Sequence, residues 1–151
     1  MEKEQLGLVL AELFPAMEVV TSGEHVRVKA APAEFHKLAT TLRDDSRFQF
    51  DFLFNLYGVD REDKFSLIYN FESTKLGHII DIETDLADHD NPVMDTVSDL
   101  WKTAEFQERE IYDLMGVKFS NHPDLRRLFL EDGWGFPLRK DYKDDINFIE
   151  R

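Results

Sequence analysis

Between residues 65 and 84 the side chains alternate in a way that only pleated backbone can use. Phe65, Leu67, Tyr69 and Phe71 alternate with Ser66, Ile68, Asn70 and Glu72, and Ile80 and Ile82 alternate with Asp81 and Glu83. Successive side chains of a strand point to opposite faces, so each run sends one apolar row to a common core. A Thr74–Gly77 turn separates the two runs, and a polar turn over Arg61–Lys64 precedes them. The stretch before that, Phe48 to Val59, carries two periods at once. Phe48, Phe50, Phe52, Phe54 and Leu56 alternate, while Phe50, Leu53, Phe54 and Tyr57 fit a helical face. We read it as a helical turn passing into a strand near Leu56. Three strands joined by turns this short favour an antiparallel meander, because parallel pairing needs a long crossover.

Upstream, Leu6, Val9, Leu10, Leu13 and Phe14 share one helical face from Glu4 to Phe14, where Pro15 stops the helix. Met17–Thr21 and His25–Ala30 flank a Ser22-Gly23-Glu24 turn and form a hairpin, with Val26 and Val28 on the face opposite His25, Arg27 and Lys29. Pro32 then opens an amphipathic helix carrying Phe35, Leu38, Ala39 and Leu42. Downstream, Asp85–Asn91 is an acidic loop, and Asn91-Pro92 supplies a cap and first position for a short helix ending near Trp101. A further helix starts at Thr103, which caps it, and ends at Gly116 in a left-handed conformation. In it Glu105–Arg109 and Arg109–Asp113 are i,i+4 pairs of opposite charge, with Ile111, Leu114 and Met115 for apolar contact. After Gly116 the pattern turns irregular and apolar, punctuated by Pro123, Gly133, Gly135 and Pro137. Such a tail has little means of packing on itself and is expected to lie on something else. The reading is one α+β domain, residues 1–132, with an antiparallel sheet of hairpin plus three-strand meander packed by helices, and a C-terminal docking tail, residues 133–151.

Composition removes several function classes. The chain has no cysteine, which excludes disulfides, thiolate-bound zinc and a cysteine-ligated cluster carried by the chain itself. Its net charge of −13 argues against nucleic acid and anionic lipid as partners. No apolar run approaches the ~20 residues of a membrane span, and Met1-Glu2-Lys3-Glu4-Gln5 lacks the pattern of a signal peptide, so a cytoplasmic location is expected. Thirteen phenylalanines mean either a dense aromatic core or buried contact with other subunits.

Residues 103–142 carry a composite signature. Glu108-Arg109-Glu110, Tyr112-Asp113-Leu114-Met115-Gly116-Val117-Lys118-Phe119, His122-Pro123, Leu125-Arg126-Arg127 and Gly135-Phe136-Pro137-Leu138-Arg139-Lys140-Asp141-Tyr142 follow in order. This ordered set resembles the C-subunit family of NADH–quinone oxidoreductase, the thirty-kilodalton subunit family of respiratory complex I. One position departs from the family pattern, Phe136 standing where a His is usual. The resemblance implies a non-catalytic assembly subunit of the peripheral arm, set against the D (forty-nine-kilodalton) subunit on the cytoplasmic face of the membrane. NADH, FMN, iron–sulfur clusters and quinone would reside on partner subunits, with electron transfer from NADH to quinone coupled to cation translocation. It also implies a subunit interface drawn from Glu108, Arg109, Glu110, Tyr112, Asp113, His122, Pro123, Arg126, Arg127, Trp134, Gly135, Pro137, Leu138, Arg139, Lys140, Asp141 and Tyr142. An equivalent subunit of a ferredoxin-dependent complex or membrane-bound hydrogenase is an alternative, and a free-standing small-molecule enzyme is another.

Taken as chemistry alone, the same residues are bland. Glu108 and Glu110 do not share a helix face, so they are expected to be salt-bridged or partner-facing surface and not an acid–base pair. His122 with Asp124, and His89 between Asp88 and Asp90, lack zinc-motif spacing and suit turns and caps. Gly133-x-Gly135 lacks the preceding strand and third glycine of a dinucleotide site, and no Gly-x-Ser-x-Gly elbow exists. Arg126-Arg127 and Arg139-Lys140 either pair internally with Asp124, Glu131, Asp132 and Asp141 or reach carboxylates of a neighbour. The resemblance favours the neighbour, so reversing the charges of Arg139 and Lys140 is expected to spare the fold and lose the partner.

Overall fold

A computed structural model of the chain describes residues 1–130 and 135–142. The elements run α1 (Lys3–Leu13), β1 (Glu18–Val20), β2 (Val26–Lys29), α2 (Pro32–Asp44), β3 (Phe52–Asp60), β4 (Phe65–Glu72), β5 (Ile79–Leu86), β6 (Val93–Asp95), α3 (Ala104–Met115) and β7 (Lys118–Ser120). The hairpin β1–β2 and the meander β3–β4–β5 are both present and antiparallel. They merge into one sheet of order β1-β2-β5-β4-β3, because β2 pairs with β5 in parallel, Val26 opposite Ile80 and Val28 opposite Ile82. The sheet is therefore mixed, and the long excursion through α2, β3 and β4 supplies the crossover that a parallel pair requires.

The inner face of that sheet is the core. Phe35 of α2 sits 4.4 Å from Tyr69, and Phe71 sits 4.5 Å from Trp101, whose indole donates to the Phe50 carbonyl at 2.9 Å. Phe35, Phe48, Phe50, Phe65 and Phe71 are all fully enclosed, each contributing about 1.5–3 kcal/mol. Phe52, Phe54, Phe106 and Phe129 are exposed, so the phenylalanines divide between core and surface.

Three sequence expectations change. After a turn over residues 46–48, β3 begins at Phe52, four residues before Leu56, and across a register shift between Leu53 and Asn55 it buries Leu53 and Leu56 while Phe52, Phe54 and Tyr57 stay exposed, so neither period holds along it. The segment after Asn91-Pro92 is a strand and not a helix. β6 pairs in parallel with β7, itself unforeseen, and Pro92 accepts the Lys118 amide at 3.0 Å, so the backbone is satisfied without a helix. Thr103 makes no side-chain cap, since its hydroxyl donates to the Leu53 carbonyl 3.1 Å away on β3. Gly116 does end α3 left-handed, at φ 80°.

Candidate docking face on helix α3

Helix α3 is buried along two stripes. Ala104, Glu108, Ile111 and Met115 recur at helical spacing and face the β3 side, where Gly58 lets the Met115 sulfur approach closely. Arg109 and Asp113 form the second stripe, covered by residues 126–130. The expected i,i+4 ion pairs are absent among the described residues. Arg109 instead donates to the carbonyls of Arg126 (3.3 Å) and Arg127 (3.0 Å) and lies over the Phe106 ring. These carbonyls belong to irregular chain and need a donor that a helix surface pair would have consumed.

Asp113 is fully enclosed and holds three groups. Its carboxylate meets Arg127 Nε at 2.8 Å and accepts the backbone N–H groups of Phe129 (2.7 Å) and Leu130 (3.2 Å). Arg127 also donates to the Gly135 carbonyl at 2.9 Å and lies over the Phe136 ring, 5.2 Å from its centroid. Arg139 also lies over that ring, 5.2 Å from Phe136 and 5.3 Å from Phe65, its Nε donating to the Met115 carbonyl at 2.6 Å. Phe65 stacks flat on His89, and His89 bonds Asp60 at 2.8 Å. Asp60 completes the chain of contacts by accepting the Lys140 backbone N–H at 2.9 Å and that of Glu62 at 2.8 Å. Burial alone would raise the Asp60 carboxyl, but these two amides and His89 outweigh it and hold the group below the usual carboxylate range.

Residues 135–142 therefore lie on the chain's own α3 and β3. Leu138 N–H donates to the Leu114 carbonyl at 2.9 Å, and Phe136 packs on Gly116. A Cβ at Gly116 would come within 2.6 Å of the Phe136 ring, on top of the strain of a positive φ. Gly77 has a similar φ of 74° with open space around it. Gly77→Ala should thus cost only backbone strain, about 1–2 kcal/mol, and Gly116→Ala about 1 kcal/mol more, or beyond, as Phe136 is displaced. Parallel urea titrations of the two variants measure the difference; equal losses would mean Phe136 yields without cost.

The signature thus splits into residues that hold the fold and residues that face outward. Arg109, Asp113, Arg127 and Arg139 are engaged internally. Glu110, Pro123, Arg126, Gly135, Leu138, Lys140 and Asp141 are exposed, and Tyr112, Pro137 and Tyr142 are half-buried. Arg126 pairs with Asp124 and Lys140 with Glu62, both at the surface. Phe106 and Phe129 are 61% and 68% exposed and Leu138 38%, so three large apolar side chains stand out on this side of the molecule. Trp134 and the boundary placed at 132/133 lie outside the described residues. Asp60 and Phe65 are not sequence candidates, and His89 reads there only as a turn residue. Nothing local marks the three, since they reach α3 and the tail only through the fold.

Glu108 is corrected from surface to core. It is fully enclosed, accepts the Thr96 hydroxyl and the Val97 N–H (3.0 Å), and lies 3.8 Å from His122 Nε2. Burial pushes its pKa up to about 7, against the lowering effect of the Thr96 and Val97 hydrogen bonds. The signal was in the sequence: Glu108 occupies the apolar stripe of Ala104, Ile111 and Met115. His122 donates to the Glu105 carbonyl (3.0 Å) and accepts the Asp124 N–H (3.0 Å), a turn and cap role. No group of three or more His, Asp or Glu converges as a metal site among the described residues.

A family model described as "Respiratory-chain NADH dehydrogenase, 30 Kd subunit" matches residues 28–146. The C/D subunit of an NADH-quinone oxidoreductase from Phocaeicola vulgatus is 41% identical over 123 residues, 80% of this chain and 23% of that protein. The C subunit of the NADH-quinone oxidoreductase of Chlorobium phaeobacteroides is 41% identical over 110 residues, 70% of this chain and 66% of that one. The match thus spans only about a quarter of the C/D relatives' length. Among solved structures, a chain in the membrane-bound sulfane sulfur reductase, an archaeal respiratory membrane complex, superposes with a TM-score of 0.80 at 22% identity, over 93% of this chain and 85% of that one. That likeness is one of fold.

Proposed function

Since the chain belongs to the family of the 30 kDa subunit of respiratory-chain NADH dehydrogenase, we propose that it is a structural subunit of an NADH–quinone oxidoreductase. In this reading it sits in the peripheral arm on the cytoplasmic face of the membrane and carries no redox group. NADH, FMN, iron–sulfur clusters and quinone are held by partner subunits, and the chain supports their electron transfer and the coupled cation translocation by fixing how they sit. Among the described residues no helix is long and apolar enough to cross a membrane, which suits a peripheral place. The observation that carries the reading is the family match over residues 28–146, ending beyond the segment that lies on α3.

The partner proposed for the α3 face is the D subunit. Relatives whose names join C and D combine the two designations in one protein, which supports direct contact between them. Phe106, Phe129 and Leu138 would give the contact its apolar anchors, with Arg126 and Lys140 at its rim. The remaining signature residues, Trp134 included, belong to the same proposed interface either by direct contact or by shaping it. Affinity capture of the tagged chain from gently solubilised membranes tests this. The D subunit and iron–sulfur subunits should co-purify. Recovery of the chain alone, as a monodisperse species, would overturn the proposal.

A further inference from the structure

A fully buried carboxyl is stabilised by a proton, a cation or hydrogen-bond donors; Glu108 has two donors, and among the described residues no Lys or Arg pairs with it. Of the groups that face it, His122 is nearest, 3.8 Å away with its side chain enclosed. His122 Nδ1 accepts the Asp124 N–H and Nε2 donates to the Glu105 carbonyl, which makes the ring the neutral Nε2–H tautomer. Asp99, between β6 and α3, adds negative charge and is itself bound by His36 of α2 at 2.9 Å. From β4 comes Tyr69, whose enclosed hydroxyl has no hydrogen-bond partner among the described residues. On its own helix, Arg109 turns away to the carbonyls of Arg126 and Arg127.

The hydroxyls around Glu108 fit either charge state. Thr96 Oγ1 is shared by Glu108 Oε1, Ser98 Oγ (2.7 Å) and the Ser98 N–H (3.0 Å). With Glu108 neutral, its O–H donates to Thr96 and Thr96 donates to Ser98. With Glu108 ionised, both hydroxyls reverse. Thr96 also lines an open cavity of about 380 Å³ with His36, Asp95, Asp99 and Asn121, and Ser98 is only half-buried. Solvent protons thus have a two-hydroxyl route to a group that is otherwise sealed.

We propose that Glu108 is a proton-operated latch: its neutral form holds residues 96–98 closed on α3, and its ionisation releases them toward the cavity. The latch belongs to this chain alone and does not rest on the identity of any partner. In the closed state Val97 N–H donates to Glu108 Oε2, so exchange of that amide reads the latch directly. A carboxyl whose folded pKa is raised contributes most below its unfolded value and loses that contribution as pH rises to the folded one. Val97 protection, corrected for intrinsic exchange, should therefore fall about tenfold per pH unit from the ordinary carboxylate range up to about 7, then level off. Glu108→Gln, which keeps a carbonyl for Val97 and an N–H for Thr96, should remove the slope. His122→Gln should leave it in place. A flat wild-type profile, or a slope that survives in E108Q and vanishes in H122Q, would overturn the proposal. Should E108Q fail to fold, infrared spectra of wild-type chain with isotope-labelled glutamate decide it. One protonated glutamate band should persist at about pH 6 and disappear by about pH 8; its absence at the lower pH would sink the latch.

Discussion

Asp113→Ala is expected to cost about 3–5 kcal/mol and to free the segment from Arg127 to Leu130. Two terms add. The backbone N–H groups of Phe129 and Leu130 lose a charged acceptor, at about 1–3 kcal/mol each where water does not replace it. Arg127, only 12% exposed at its side chain, loses the carboxylate that balances its charge. The Gly135 carbonyl and the Phe136 ring remain to it, which keeps the sum within the range for breaking a buried ion pair. Asp113→Asn should do nearly as badly, since one of its two positions becomes an N–H facing donors. For a chain this size the melting temperature should drop by roughly 6–20 °C. Glu110→Ala, at an exposed position three residues before it, is the control and should change little. A melt of the alanine variant within about 2 °C of wild type, on a scale of about 2–4 °C per kcal/mol, would mean that the tail contacts are worth far less than their burial implies.

Such an effect was invisible in the sequence because Asp113 reads as half of a helix-surface pair with Arg109. Both are charged, four apart and correctly signed. What they bind instead are backbone groups of residues 126–130, and no spacing rule reports where irregular chain will fall. The strands were legible for the opposite reason: alternation over eight residues in β4 and β5 is a local property, and both elements formed where it said. Where the local signal was short, local reading failed. Asn91-Pro92 looks like a helix start, but only a three-residue strand follows, fixed by pairing with β7 more than twenty residues on. The β2–β5 pairing was likewise set by tertiary packing. Glu108 lies between these cases. Its neighbours on the stripe announced burial, and its charge argued for solvent; in the fold, hydrogen bonds from Thr96 and Val97 let the stripe win.

Reversing charge at Arg126 and Lys140 together should leave folding nearly intact and abolish recovery with the D subunit. The two side chains are 69% and 41% exposed, and their partners Asp124 and Glu62 are exposed as well. Exposed pairs contribute about 0–1 kcal/mol, so the melt should shift only slightly. Even at an interface rim, reversing both charges sets like charges against the carboxylates they would meet, which costs several kcal/mol, or about a hundredfold and more in affinity. Arg139→Glu, grouped with Lys140 by sequence, should behave differently. It loses the bond to the Met115 carbonyl and two ring contacts, and sets a carboxylate against the negative end of α3. That variant should lose stability by about 2–4 kcal/mol as well as partner. Thermal melts of the isolated variants, set beside the yield of co-purified D subunit, separate the cases. If R126E/K140E melts normally and still assembles, the two cations are solvated surface and the proposed contact lies elsewhere. If it unfolds, the exposed pairs hold the tail more strongly than their accessibility allows. If R139E alone fails in both assays while the double variant is unaffected in either, the tail's role is internal, and the basic residues of the signature serve the fold of this chain and not its docking.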